Sequence, residues 1–143
     1  MDPLSQGLLG GILAGAFSKK KKFKIAITCG VIGGLAPDLD ILIKSSHDPL
    51  LSIDFHRQFS HSIFFSPIGG FLVSLLLFIF FKKKSSFKQI YFFSFLGYFS
   101  HGILDACTSY GTVLFWPFSD FRVGLNIISI IDPLYTGILI IFF

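Results

Sequence analysis

The chain has no glutamate and few charged residues of any kind. Only 14% of its 143 residues are charged and 52% are hydrophobic, including twenty phenylalanines, whereas soluble domains average about 25% charged residues. This balance excludes an ordinary soluble domain. Apolar runs close to the roughly 18–20 residues needed to cross a bilayer recur along the sequence. We therefore expect a polytopic membrane protein.

Cysteine is scarce as well, and several catalytic motifs are missing. Cys29 and Cys107 are isolated, with no CxxC pair, which excludes a disulfide framework and a thiolate zinc site. The sequence also has no GxSxG nucleophile motif and no glycine loop for nucleotide phosphates. No basic stretch precedes the first apolar segment, so we do not expect a cleaved signal peptide.

Five hydrophobic segments are expected to be transmembrane helices, at residues 4–17, 25–43, 62–81, 90–110 and 127–143. Helices satisfy their own backbone hydrogen bonds in lipid. The predicted fold class is therefore all-α, a compact bundle of about five transmembrane helices. Glycines in the first two segments would let these helices approach closely.

The lysines are separated from the aspartates. Nine of the ten lysines lie within residues 19–24 and 82–88, which connect predicted helices. Positively charged loops stay on the cytoplasmic side, so the N-terminus and the connections at 44–61 and 111–126 are predicted to face outward. The net charge of +4 is thereby explained by topology, and a nucleic-acid partner is not expected.

Histidine and aspartate fall at the predicted outer ends of the segments. His101 and Asp105 are one helical turn apart, so both could hold one ion. Asp38 and Asp40 follow Pro37, where a turn would bring the two carboxylates together. Adjacent carboxylates repel unless a cation or a proton lies between them. The alternatives are a His–Asp hydrogen bond that joins two helices and two solvated acids in a surface loop.

A third polar group, with His56, Arg57 and His61, precedes the third segment. Imidazole is a common zinc ligand, and carboxylates complete mixed sites. The planar guanidinium of Arg57 fits a phosphate or a carboxylate. A surface histidine in a polar loop is the alternative for His56, and it is a weaker alternative for His61, which adjoins the apolar segment. Together the three groups offer enough ligands for one metal ion or two.

Several short motifs, in fixed order along nearly the whole chain, resemble the YdjM family of bacterial inner-membrane proteins, which are described as metal-dependent hydrolases. The motifs are Met1-Asp2-Pro3-Leu4-Ser5-Gln6-Gly7-Leu8-Leu9-Gly10, Gly34-Leu35-Ala36-Pro37-Asp38-Leu39-Asp40, His56-Arg57, Ser60-His61-Ser62, His101 with Asp105, Thr108 and Gly111, Trp116-Pro117-Phe118-Ser119, and Ile131-Asp132-Pro133-Leu134-Tyr135-Thr136. Many members have histidine where this chain has Gln6.

The resemblance implies a single membrane-embedded, metal-dependent hydrolase-like domain over residues 1–143, C-terminally short relative to many members. A more distant similarity to zinc-dependent phospholipase C and helical nucleases implies a phosphoester substrate. The family also has a LexA-binding label. Because the site is predicted to face outward and no nucleic-acid motif is present, we give that label little weight.

The leading hypothesis is therefore a multi-pass enzyme of the bacterial inner membrane. One or two divalent metal ions, expected to be zinc, would activate water for attack on a phosphoester or other ester of a small molecule or lipid at the extracytoplasmic face. The predicted catalytic residues are the metal ligands Asp38, Asp40, His61, His101 and Asp105. A further predicted metal ligand is Asp132. The predicted substrate-binding residues are His56, Arg57 and Arg122.

Two other hypotheses stay open. Aspartate and histidine inside membrane segments also mark ion and proton pathways, so the chain could be a transporter. A transporter site would lie near the bilayer midplane between repeats, whereas these residues lie toward the outer ends and no internal repeat is seen. The other alternative is a non-catalytic membrane scaffold.

Overall fold

Five α-helices appear in the computed structural model, which describes residues 1–42 and 58–143. They are α1 (Pro3–Ala16), α2 (Phe23–Leu35), α3 (Ser66–Phe81), α4 (Phe87–Ala106) and α5 (Pro133–Phe142). Short 3-10 helices lie at Lys20–Lys22, Ala36–Leu42 and Phe59–His61. Within the described ranges there is no strand, and two isolated β-bridges lie within the segment that connects α4 to α5. The all-α prediction is confirmed.

Aspartate followed by proline begins two of these helices. The Asp2 carboxylate accepts a hydrogen bond from the backbone N–H of Ser5 (3.0 Å) at the start of α1. The Asp132 carboxylate accepts one from the N–H of Tyr135 (3.0 Å) at the start of α5. Proline has no backbone N–H, but an N–H in the first turn of a helix would have no partner within the helix. The Asp-Pro pair therefore sets where each helix begins.

Helices α1, α2 and α4 meet at glycines. A Cβ added at Gly10 would lie 2.4 Å from the carbonyl oxygen of Gly30, and one added at Gly97 would lie 2.1 Å from the same oxygen. The three backbones are therefore in direct contact, as small residues permit. The close glycine packing predicted for the first two segments is confirmed, and it extends to α4. Helix α3 packs on α4, and α5 packs on α1.

The bundle buries several polar side chains beside its apolar core, and much of its exterior is apolar. Gln6, His101 and Asp105 are 0% exposed, whereas Phe80 is 76% and Ile141 is 81% exposed. Large apolar side chains on the surface are costly in water. Such an arrangement is typical of a chain surrounded by lipid, where buried polar groups face the protein interior.

One helical stretch of the described chain, Lys20–Leu42 with 23 residues, is long and apolar enough to cross a membrane. Ser66–Phe81 and Pro133–Phe142 are apolar but shorter. The 16 residues of α3 span about 24 Å, less than the ~30 Å of a hydrocarbon core. The prediction of five spans is therefore not confirmed: α1, α3 and α5 are shorter than a span, and α4 has 20 residues but includes too many polar ones.

The bundle has two chemically different ends. The lysine turns between α1 and α2 and between α3 and α4 lie at one end, since both pairs of helices are antiparallel neighbours. The 3-10 helices Ala36–Leu42 and Phe59–His61 lie at the other end, beside the second half of α4. Along α4, Lys88 and His101 are separated by about 20 Å at 1.5 Å per residue.

Candidate metal centre

Four side chains meet at the end of the bundle away from the lysines. They are Asp38, His61, His101 and Asp105, and one ligand atom from each lies within 4.8 Å of the others. The two imidazole Nε2 atoms are 2.9 Å apart. The Asp38 Oδ1 atom is 3.5 Å from Nε2 of His61 and 3.3 Å from Nε2 of His101. The Asp105 Oδ2 atom is 3.3 Å and 3.6 Å from the same two nitrogens.

These distances fit a single tetrahedral ion. Zinc bonds to imidazole nitrogen and carboxylate oxygen measure about 2.0–2.2 Å, so ligand atoms at the corners of the tetrahedron lie roughly 3.3–3.6 Å apart. Four of the ligand-to-ligand distances in this group measure 3.3 to 3.6 Å, and the two imidazole nitrogens are closer together, at 2.9 Å. Two carboxylates and two neutral imidazoles carry a charge that a divalent cation would balance. The group could therefore hold a metal ion.

Three separate elements supply the four ligands. The last turns of α4 present His101 and Asp105 on one face, as their spacing predicts. The 3-10 helix Ala36–Leu42 supplies Asp38 directly after α2. His61 ends the 3-10 helix Phe59–His61, which lies against α4: a Cβ added at Gly102 would be 2.3 Å from the carbonyl oxygen of His61. Only glycine at that position lets the turn come so near.

Hydrogen bonds behind the imidazoles hold them with Nε2 toward the group. The Nδ1 atom of His101 is 2.6 Å from the carbonyl oxygen of Gly34. The Nδ1 atom of His61 is 2.9 Å from the hydroxyl of Ser60 and 3.4 Å from Oδ2 of Asp40. The Ser60 hydroxyl donates to that same carboxylate oxygen at 2.6 Å. Such partners behind ligating histidines fix both the tautomer and the ring orientation.

The predicted convergence of Asp38 and Asp40 has an unexpected form. Both carboxylates approach the same imidazole, but from opposite sides: Asp38 at Nε2 of His61 and Asp40 at Nδ1. Asp40 is 6% exposed and lies outside the group of four. The structure therefore places Asp40 beside the back of His61, where it orients the ring.

Helix α1 holds the carboxylate of Asp105 from the other side. The amide of Gln6 donates to Oδ1 of Asp105 at 3.0 Å, and the N-terminal ammonium of Met1 forms an ion pair with the same oxygen. All three groups are buried. Oδ1 is thus engaged by α1, which leaves Oδ2 directed at the histidines. Gln6 supports a ligand and is not itself part of the group.

His61 lies outside the apolar helices and has a perturbed pKa. Burial alone would lower this pKa, but hydrogen bonds with Asp105, Asp38 and Asp40 outweigh burial and raise it from 6.5 to about 10. In the metal-free protein the ring is therefore protonated at neutral pH. A proton and a metal ion would compete for the same nitrogen.

The remaining predicted site residues lie outside the group of four or outside the described residues. Asp132 caps α5 through Tyr135. Arg122 is half-buried, donates to the carbonyl of Gly111 at 3.4 Å, and stacks 5.0 Å from the ring centre of Tyr110. The two other predicted substrate-binding residues, His56 and Arg57, lie outside the described residues.

Three supporting groups had no clear mark in the sequence. The carbonyl of Gly34 and the ammonium of Met1 are backbone groups, so no residue type points to them. Ser60 adjoins His61, and a hydroxyl next to a candidate ligand is the one feature that could have suggested its role.

Comparisons with known proteins give one assignment. Neither a curated protein nor a solved structure matches this sequence. The sequence model of a family described as YdjM inner membrane protein matches residues 1–143. The resemblance expected from the short motifs is confirmed, and this chain belongs to the YdjM inner membrane protein family.

Proposed function

We propose that this chain is a membrane-bound hydrolase that uses zinc held by Asp38, His61, His101 and Asp105 to cleave a phosphoester or other ester. The observation that supports this most is the ligand spacing of 2.9 to 3.6 Å, which suits one tetrahedral ion. The hydrogen bonds behind both imidazoles add support, because preformed orientation is typical of metal centres.

The four ligands differ in exposure, and that difference suggests their roles. The side chains of His61, His101 and Asp105 are 0% exposed, whereas that of Asp38 is 26% exposed. Catalytic zinc sites commonly use three protein ligands and leave a fourth position for water or substrate. We assign the three buried residues as fixed ligands. Asp38 is the ligand open to solvent, so water or substrate would reach the ion beside it.

The chain's own groups then have distinct tasks. Asp38 would accept the proton of the attacking water, since its carboxylate is close to that position and reachable from solvent. Asp40 and Ser60 would keep His61 in its orientation, and Gln6 would keep Asp105 in place. When bound, zinc would supply the Lewis acid that activates water and polarises the ester. Arg122, His56 and Arg57 stay proposed contacts for a phosphate.

The position of the group favours an enzyme over a transporter. His101 lies in the last two turns of α4, and Gly34 is the penultimate residue of α2. A transporter site is expected near the midplane of the bilayer. We therefore propose a multi-pass protein of the inner membrane, with the lysine turns in the cytoplasm and the metal end outside. A reporter fused after Lys84 should give a cytoplasmic signal, and an extracytoplasmic signal would reject this orientation.

The test of the activity combines metal content with substrate hydrolysis. The full chain is purified in detergent, its metals are measured by mass spectrometry, and phosphomonoester, phosphodiester and phospholipid substrates are screened. Wild type should hold about one zinc ion per chain and hydrolyse one substrate class. His101→Ala should lose the metal and the activity together. Asp38→Asn should keep most of the metal but lose about 100-fold or more in rate, as expected for a missing base.

The exposed Asp120 offers a matched control, because Asp120→Asn removes the same charge away from the group. That variant should match wild type in both measurements. Equal, negligible metal in wild type and His101→Ala would reject the metal site. Bound zinc with no hydrolysis of any substrate class would reject the enzyme and leave a structural or transport site.

A further inference from the structure

The end of the bundle opposite the metal group concentrates positive charge. Seven lysines lie in the turns between α1 and α2 and between α3 and α4, and two more, Lys24 and Lys88, lie in the first turn of α2 and of α4. The ammonium of Lys22 donates to the carbonyl oxygen of Lys84, so the two turns are joined into one surface. Within residues 1–42 and 58–143, no carboxylate forms an ion pair with these lysines. Their charge is therefore open to an external anion.

A pocket between the two turns combines that charge with aromatic surface. Lys19, Lys22 and Lys88 line it together with Phe17 and Phe92. The two rings contact each other edge to face, with centroids 6.2 Å apart, yet Phe17 is still 66% exposed and Phe92 is 43% exposed. The pocket, which we call the lysine-end pocket, thus offers cations for a phosphate and rings for apolar chains.

We infer that the lysine-end pocket binds an anionic phospholipid. Its phosphate would lie among the three lysines, and its acyl chains would cover the exposed faces of Phe17 and Phe92. Basic pockets at the ends of membrane helices are suited to anionic lipid headgroups, and exposed aromatic rings favour the boundary between headgroups and chains. A soluble phosphate would use the lysines alone and would leave both rings in water.

The chain offers two matched double variants for a test. Lys19→Gln/Lys88→Gln removes two charges that line the pocket, one before α2 and one at the start of α4. Lys21→Gln/Lys83→Gln removes two charges outside the pocket, one from each turn. Both variants keep the bond from Lys22 to Lys84. The full chain in detergent is titrated with phosphatidylglycerol, with phosphatidylcholine and with inorganic phosphate, and bound lipid is counted by native mass spectrometry.

Wild type and the outer double variant should bind phosphatidylglycerol alike. The pocket double variant should bind it roughly tenfold to thirtyfold more weakly, because each lysine near an anionic headgroup contributes a factor of about five. Equal loss in both double variants would overturn the pocket, since it would show general attraction to charge. Equal binding of phosphatidylcholine, or full competition by inorganic phosphate, would overturn the assignment to an anionic lipid. None of these results depends on metal or on hydrolysis.

Discussion

The two ends of this bundle differ in the sign of their charges and in whether those charges are buried or exposed. At the end that carries the His/Asp group, Asp105 and both histidines are buried, and specific neighbours hold Oδ1 of Asp105 and Nδ1 of each imidazole. At the lysine end, Lys21 and Lys83 are exposed and water can solvate them. Buried charge needs partners, whereas exposed charge does not. Substitutions at the metal end should therefore cost far more than substitutions at the lysine end.

The largest effect is expected at Asp105. Asp105→Ala would leave the ammonium of Met1 and the amide of Gln6 buried without their acceptor. Removing one partner of a buried ion pair costs about 3–5 kcal/mol. Chemical unfolding of the metal-free protein in detergent measures this loss. Asp120→Ala is the control and should stay within about 0.5 kcal/mol of wild type; an equally small change at Asp105 would contradict the role of this ion pair.

A smaller loss is expected behind His61. Asp40→Ala removes the carboxylate that faces Nδ1 of His61 and accepts the hydroxyl of Ser60. Partners behind a ligating histidine typically contribute 10–100-fold in metal affinity, so zinc should bind weaker by about that factor. Competition with a fluorescent chelator measures it. Complete loss of binding would instead make Asp40 a direct ligand, as the sequence alone suggested.

The close contact of α1, α2 and α4 at Gly10, Gly30 and Gly97 should tolerate little added volume. A Cβ at Gly97 would lie 2.1 Å from the carbonyl of Gly30, while one at Gly137 would meet nothing within 4 Å. Gly97→Ala should therefore destabilise the fold by about 1–3 kcal/mol through overpacking. Gly137→Ala should be neutral or slightly stabilising, because alanine favours helices. Thermal unfolding of both variants compares them directly, and equal stability would disprove the close crossing.

The pKa of His61 predicts opposite pH trends for stability and metal binding. A pKa raised from 6.5 to about 10 stabilises the metal-free fold fully below pH 6.5, and this contribution disappears as the pH rises toward 10. Metal must displace the same proton, so zinc affinity should rise about tenfold per pH unit in that range. Titrations at pH 6, 7 and 8 test the second trend. A zinc affinity that stays the same at all three pH values would mean that His61 loses no proton when zinc binds.

The smallest effect is expected at the exposed lysines. Lys21→Gln/Lys83→Gln removes two charges that have no carboxylate partner among the described residues, so unfolding free energy should change by less than about 0.5 kcal/mol. The same unfolding assay used for Asp105→Ala measures it. A loss of unfolding free energy as large as that expected for Asp105→Ala would contradict the predicted difference between the two ends.

The sequence indicated the residues of the His/Asp group, which could hold a metal ion, better than it indicated the arrangement of the helices. His101 and Asp105 were predictable because a helix fixes the relation of residues four apart. Asp38 and Asp40 could not be told apart, because their directions depend on a 3-10 turn and on a distant histidine. Asp132 was predicted as a ligand. The Asp132-Pro133 pair, however, is also a helix-start pattern, and that is where the structure places it.

The number of membrane spans was less predictable for a related reason. Hydrophobicity marks which residues avoid water, but it does not mark where a helix gives way to a turn. The apolar run after Ile25 ends as a 3-10 helix with Asp38 and Asp40 in it. Backbone partners such as the Gly34 carbonyl depend on tertiary contact alone. Sequence therefore identified the family and several residues of the His/Asp group, while the groups that support those residues needed three-dimensional structure.

Asp38, His61, His101 and Asp105 come from three elements that lie far apart in the sequence. An ion bound there would act as a removable cross-link between α2, α4 and the turn before α3. Its binding energy would add to the stability of the fold. A chain without the ion would then open at this end first, because nothing else would link the three elements at that point so directly.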